Sequence, residues 1–153
     1  DANDIQFLPS YVDSISYFRA FPKSEGNRPE PAIWEKETYD IRALAPTEYN
    51  DSLRVASCYS NTDQTMTFTV NLNRNRKYQI ALYFVDWNDD SASQAVEMFD
   101  ANTLNLISPV KMVDDFAGGK YLVFTYSKSV KFRINRIRGE RISLSGIFFD
   151  PID

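Results

Sequence analysis

The stretch that decides the fold is Lys77-Tyr-Gln-Ile-Ala-Leu-Tyr-Phe-Val-Asp-Trp-Asn-Asp-Asp90. Tyr78, Ile80, Leu82 and Phe84 share one parity and Gln79, Ala81, Tyr83 and Val85 the other. The run therefore predicts a strand with one fully apolar face and a mostly apolar second face, which belongs in the middle of a sheet. It then enters Asp86-Trp87-Asn88-Asp89-Asp90-Ser91, too polar to bury and too aromatic for a plain turn. A buried strand that feeds such a loop marks the first place to look for binding.

On the N-terminal side, Met66, Phe68, Val70 and Leu72 alternate with Thr65, Thr67, Thr69 and Asn71, a half-buried strand. The polar Asn73-Arg-Asn-Arg76 segment predicts an antiparallel hairpin between it and the central strand. Further strands are expected over 53–59, 95–100, 104–108, 121–126, 130–134 and 141–145, with 109–115 a connector and Arg138-Gly-Glu140 closing a last hairpin. Ile5, Phe7 and Leu8 read as a first edge strand, and Pro22, Gly26, Pro29 and Pro31 as a polar, proline-rich connection. Residues 1–31 are thus an N-terminal edge strand with its connection and 32–153 the main unit, within one domain at this length. Short strands without a long helix imply an all-β, antiparallel β-sandwich.

Composition narrows the function. The chain has 11 Phe, 9 Tyr and only 5 Gly, which suits strands packed through large side chains. A net charge of -4 argues against general affinity for nucleic acid or an anionic membrane. No apolar run reaches the length of a membrane span, and a chain that begins at Asp1 with no leader-like segment reads as a mature or excised fragment. Cys58 is the single cysteine, so no intrachain disulfide forms, and its setting reads as a small buried hydrophobe. With no histidine, Ser-His-Asp, Cys-His and His-ligated zinc mechanisms are excluded. Carboxylate pairs are always available among 21 acidic residues, so they do not by themselves indicate a glycosidase, and the chain is expected not to be an enzyme.

Several stretches in series carry a resemblance: Trp34 with Asp40-Ile-Arg-Ala-Leu44, Asp51-Ser-Leu-Arg-Val-Ala-Ser57, Leu82-Tyr-Phe-Val-Asp-Trp87, Phe99-Asp100, Gly118-Gly-Lys-Tyr121 and Leu144-Ser-Gly-Ile-Phe-Phe-Asp150. Together they resemble a non-catalytic carbohydrate-binding accessory domain, galactose-binding-like or malectin-like, of secreted bacterial glycoside hydrolases and polysaccharide lyases. The resemblance implies a jelly-roll sandwich, a polysaccharide partner, a covalently linked catalytic domain and an extracellular or cell-surface setting. Red-algal galactans are among the substrates of such systems. An arginine common soon after the Asp-Trp loop is missing here, where Ser91 to Gln94 stand.

A sugar is held by a ring against its C–H face and by carboxylates, amides and arginines at its hydroxyls. Trp34, Tyr59 and Trp87 are the candidate rings, expected at element ends or in loops, with Trp87 the more exposed; Asp86 and Asn88 are the candidate polar contacts. Asp86, Asn88 and Asp90 alternate as in a calcium loop, with Glu97 eleven residues after Asp86, although Ser91 stands where such a loop has glycine. Structural calcium is therefore a candidate cofactor, set against a merely solvated loop. Lys131, Arg133, Arg136, Arg138 and Arg141 are either a groove for an anionic polysaccharide, with Arg133 and Arg141 as contacts, or an ordinary charged β-face. Arg42 and Arg54 match the family pattern and alternatively are structural, tied to Asp40, Asp51 or a backbone carbonyl. The expected function is a monomeric module that brings a polysaccharide-degrading enzyme to its substrate; the alternative is a structural spacer or protein-contact domain without a sugar site.

Overall fold

The computed structural model describes residues 8–18, 30–44 and 54–152. Eleven strands follow in order: β1 (Val12–Phe18), β2 (Glu30–Thr38), β3 (Arg54–Asn61), β4 (Thr65–Leu72), β5 (Tyr78–Phe84), β6 (Ser93–Asp100), β7 (Leu106–Val113), β8 (Lys120–Tyr126), β9 (Val130–Arg138), β10 (Ile142–Leu144) and β11 (Gly146–Pro151). The first layer is the five-stranded sheet β1-β4-β9-β6-β7. The second is made of two three-stranded sheets, β10-β3-β2 and β11-β5-β8. Only Ser145 separates β10 from β11, and its amide donates to the Tyr83 carbonyl at 2.9 Å, so the two sheets abut as one broader layer. Every pairing is antiparallel. From β3 to β6 successive strands switch layers, and β8 to β10 do so again, which is the jelly-roll form of an antiparallel β-sandwich.

The alternation in the sequence fixes which faces meet. Tyr78, Ile80, Leu82 and Phe84 of β5 oppose Phe68 and Val70 of β4 and Phe132 and Ile134 of β9, all buried in one cluster with Val96, Met98 and Leu144. Phe124 meets Phe132 edge-on at 5.2 Å, locking β8 over β9. A fully buried polar group bridges the layers: the Gln94 amide of β6 donates to the Ser143 carbonyl at 3.0 Å and accepts from the Ser143 amide at 2.8 Å. A buried amide satisfied on both ends costs little and pins β6 to β10.

Two expected pairings and one expected connector differ. β4 and β5 are not a hairpin but lie in opposite layers, because the Asn73–Arg76 segment carries the chain across the sandwich. Arg138–Glu140 likewise crosses between layers, since β10 pairs with β3 and not with β9. Pro109 lies inside β7 and not in a connector. It is tolerated because β7 is an edge strand and the β6–β7 register slips between Val96 and Met98, so the missing N–H breaks no regular ladder. Pro31 sits similarly in β2, another edge. The proposed strand at Ile5 and Phe7 and the connection from Pro22 to Pro29 lie outside the described residues. β2 itself crosses the 31/32 boundary, and β1 joins the five-stranded sheet beside β4.

Candidate functional site

At one end of the sandwich three connections converge: residues 39–44 after β2, 85–92 after β5 and 114–119 after β7. The middle one is held by its own backbone. The Asp86 amide donates to the Phe116 carbonyl at 2.9 Å, and the Asp86 carboxylate accepts from the amides of Asp90 and Ala92, both at 3.1 Å. Asp89 and Ser91 take the left-handed conformation at φ 54° and 55°, so the chain makes the sharp turn there without a glycine. Asp86 is buried and both its oxygens are committed to the loop. The carboxylate expected to meet a sugar hydroxyl or a calcium ion is thus a staple for the turn that carries Trp87. Asn88, Asp89 and Asp90 remain exposed. Among the described residues no group of three His, Cys, Asp or Glu is placed to hold a metal ion, Asp86 and Asp90 included.

Trp34 stands in the middle of β2, not at an element end. Its strand register slips around it, Ile33 facing Ser57 and Glu35 facing Ala56, so Trp34 is the extra residue of a bulge, a device that re-aims a side chain. Its indole lies parallel to that of Trp87, with ring centroids 5.9 Å apart and planes 10° apart. Both tryptophans are half-buried. Trp87 also has the Arg42 guanidinium over its ring at 4.3 Å.

Arg42 is what joins the three connections. Asp40 accepts from the Arg42 backbone amide at 2.9 Å, a local turn, and from Nε and Nη2 at 3.0 and 2.7 Å. Nη1 donates to the Ala117 carbonyl at 2.9 Å and to the Trp87 carbonyl at 3.4 Å. These hydrogen bonds hold the Asp40 carboxyl below its ordinary range and raise the Arg42 guanidinium above its own. The Arg42 carbonyl in turn accepts from the Tyr83 hydroxyl at 2.7 Å, and burial pushes that phenol up. Gly119, at φ +88°, lies directly against the Tyr83 hydroxyl, where a Cβ does not fit. Arg54 has the other structural role expected of an arginine here, donating to the Ala43 carbonyl at 3.0 Å.

The remaining candidates lie elsewhere. Tyr59 is half-buried in β3 opposite Pro31, about 10 Å of strand from Trp34 at the usual rise. Arg133, on the outer face of the five-stranded sheet, pairs with Glu97 through bonds of 2.8 and 3.1 Å, and Asn135 donates to the same Glu97 at 2.7 Å. Arg141 reaches the Ser60 hydroxyl at 3.3 Å. Arg136 donates to the carbonyls of Thr62 and Glu140, and Arg138 to that of Ser91, bracing the Trp87 loop from behind. Arg133, Arg136 and Arg138 are thus engaged within the protein instead of lining one groove.

Neither a family model nor a curated protein sequence matches the chain. Solved structures do. TmCBM61 in complex with beta-1,4-galactotriose is similar over 80% of this chain and 88% of that one, at 10% identity and a TM-score of 0.43. A family 35 carbohydrate-binding module from Clostridium thermocellum is similar over 78% and 96%, at 11% identity and a TM-score of 0.37. A Ruminococcus gnavus GH29 fucosidase in complex with fucose matches 82% of this chain but 25% of its own, at 13% identity and a TM-score of 0.41. Carbohydrate-binding modules and a region of a glycoside hydrolase are thus among the structures this all-β chain resembles. At such identities and TM-scores, they do not bear on what this chain binds.

The chemistry open to the site follows from what its groups have left to give. Arg42 has spent most of its donors on Asp40 and two carbonyls, and each oxygen of the buried Asp86 carboxylate already takes a backbone amide. Ring faces, the Asn88 amide and the exposed carboxylates of Asp89 and Asp90 are what point outward. Sequence reasoning named both indoles and Asn88, and left Arg42, with Arg54, as either a match to the family pattern or a structural arginine tied to Asp40, Asp51 or a backbone carbonyl; the Asp40 and carbonyl ties are what Arg42 makes. The available signal was the Asp40-Ile-Arg42 spacing, which suits a turn in which the carboxylate takes both the amide and the guanidinium of the residue two positions on.

Proposed function

We propose that this is a non-catalytic carbohydrate-binding module whose Trp34–Trp87 ledge takes a neutral polysaccharide. The observation that carries the proposal is the pair of parallel, half-buried indoles at the sandwich rim, clamped from below by Arg42. An indole held flat by its neighbours offers its face to the C–H side of a pyranose at little further ordering cost, while Asn88, Asp89 and Asp90 stand where hydroxyls would come. Neutrality follows from the rim's charge. Asp40, Asp86, Asp89, Asp90, Asp114 and Asp115 outnumber Arg42, Lys120 and Arg138 there, so a sulfated or carboxylated chain meets repulsion. A galactan of algal type without sulfate belongs to the class that fits. In a secreted bacterial enzyme the module would hold a linked polysaccharide-degrading domain at its substrate, raising local concentration without chemistry of its own.

Both of the chain's tryptophans lie at the ledge, so selectively excited tryptophan emission reports on it alone. Neutral galactans should retard the protein in affinity gels and shift its tryptophan emission, with retardation insensitive to salt. Trp34→Ala should abolish retardation while the fold, monitored by strand circular dichroism, persists. Unchanged retardation in Trp34→Ala would sink the site, and a protein retarded by no polysaccharide would favour a spacer or protein-contact role. Turnover of any glycan by the purified chain would overturn the non-catalytic reading.

A further inference from the structure

The ledge does not end at Trp87. The Tyr83 hydroxyl that holds the Arg42 carbonyl belongs to a ring packed on Tyr121 at 4.6 Å, and Tyr121 meets Phe148 at 6.1 Å. These residues lie on the outer face of β11-β5-β8, where register sets them in rows: Gly146, Tyr83 and Tyr121, then Phe148, Ala81 and Val123, then Asp150, Gln79 and Thr125. Tyr121 is 54% exposed, Val123 45% and Phe148 41%, although all are large apolar or aromatic side chains on a sheet face. Ala81 between Phe148 and Val123 is small, which leaves room for the flanking rings of β11 and β8 to lean together over β5. Tyr83 beneath is only 5% exposed, so Tyr121 rests on a fixed ring.

We infer that Tyr121 and Phe148 form a second sugar-stacking platform, continuous with the indole ledge, so that the module takes the interior of a neutral glycan chain and not a single terminal residue. This deepens the reading of the Trp34–Trp87 site and rests on it. Two features favour a glycan over a protein partner on this face. The aromatic rows adjoin a row of hydroxyl-binding groups, the Asp150 carboxylate, Gln79 amide and Thr125 hydroxyl, an alternation that suits a ring's C–H face and its hydroxyls at once. The platform is also braced by the groups that hold the indole ledge, since Arg42 lies over Trp87 and takes the Tyr83 hydroxyl at its carbonyl, and Tyr83 packs on Tyr121.

The test is affinity as a function of chain length, measured by calorimetry with monosaccharide, short oligosaccharides and polysaccharide of one neutral galactan. In the parent protein affinity should rise with length beyond what the ledge alone accommodates. Tyr121→Ala should leave the shortest bound ligand unaffected and weaken the longest by about five- to tenfold, flattening the length dependence. Tyr121→Phe should restore it, because the ring and not the hydroxyl makes the contact; a merely structural Tyr121 would weaken all lengths equally and be seen in the melting curve. If the length dependence is intact in Tyr121→Ala, the second platform is refuted while the ledge stands. If Trp34→Ala leaves every length unchanged, the ledge itself has failed and the platform falls with it.

Discussion

Asp86 separates two accounts of the rim, because a carboxylate that touches sugar and a carboxylate that staples a turn respond differently to replacement. Asp86→Ala removes the acceptors for the amides of Asp90 and Ala92, each bonded at 3.1 Å. Hydrogen bonds to a charged acceptor contribute roughly 1.5 kcal/mol each, and the exposed Asp90 amide recovers part of its loss from water, so about 2–3 kcal/mol is expected. For a domain of this size that is a fall in Tm of roughly 5–10 °C. Asp86→Asn keeps one acceptor and should lose about half as much. Thermal melts followed by tryptophan emission, beside affinity gels at a temperature where each variant is folded, read both quantities. The staple account requires stability and retardation to fall together, Ala more than Asn, with emission shifted to the red as Trp87 loosens. An Asp86→Ala protein that melts within about 1 °C of the parent and yet no longer binds would refute it, since only a direct sugar contact produces that pattern.

Two further outcomes follow from the turns. Asp100 accepts from the amides of Asn102 and Thr103, both at 2.9 Å, and from the Tyr126 hydroxyl; these bonds, the Tyr126 one foremost, pull its carboxyl down to about 2. Its unfolded value is about 3.9, so its contribution is complete above that pH and is lost as pH falls toward 2; Tm against pH should drop less steeply over this window in Asp100→Asn than in the parent. Gly119→Ala places a Cβ against the Tyr83 hydroxyl at a left-handed position, breaking the Tyr83–Arg42 bond. The strain and the lost bond together cost about 2–3 kcal/mol, so a Tm equal to the parent's would show that the 114–119 connection does not bear on Tyr83.

The strands were legible where burial imposes a period of two. In β4 and β5 the large apolar side chains keep one parity because each strand has one face in the same core, although Thr67, Thr69 and Tyr83 on the other parity are buried as well. Alternation says which face is buried and nothing about which strand lies alongside, which is why β4 and β5 read as a hairpin although they face each other across the layers. Pro109 read as a break because a proline removes a donor, and only the edge position of β7 with its slipped register makes that harmless. Trp34 read as a loop residue because nothing local announces a bulge. In the loop after β5, the oxygens of Asp86 and Asn88 are equally ligand-like in sequence, and what distinguishes them is the demand of two nearby amides. The Asp40–Arg42 turn is local and could be read; Arg42's reach to the Ala117 carbonyl, 75 residues on, could not.

The position of the site has a physical cause in how the strands connect. The connections after β5 and β7 switch layers while the one after β2 leads to β3 in the same sheet, and all three carry carbonyls without ladder partners, those of Trp87, Ala117 and Arg42. The Arg42 guanidinium and the Tyr83 hydroxyl satisfy all three, and in doing so they tie connections from β2, β5 and β7 into one unit. The groups that make the rim rigid are therefore spent on the protein, and under the proposed reading recognition falls to what they leave over: the parts of the two half-buried indoles that Arg42 and the neighbouring indole do not cover, and the uncommitted polar tips beside them. On the proposed reading such a surface would discriminate by the shape of a sugar's C–H face more than by charge, and long neutral chains bound weakly at many points would be what it suits, as a tethered module would require.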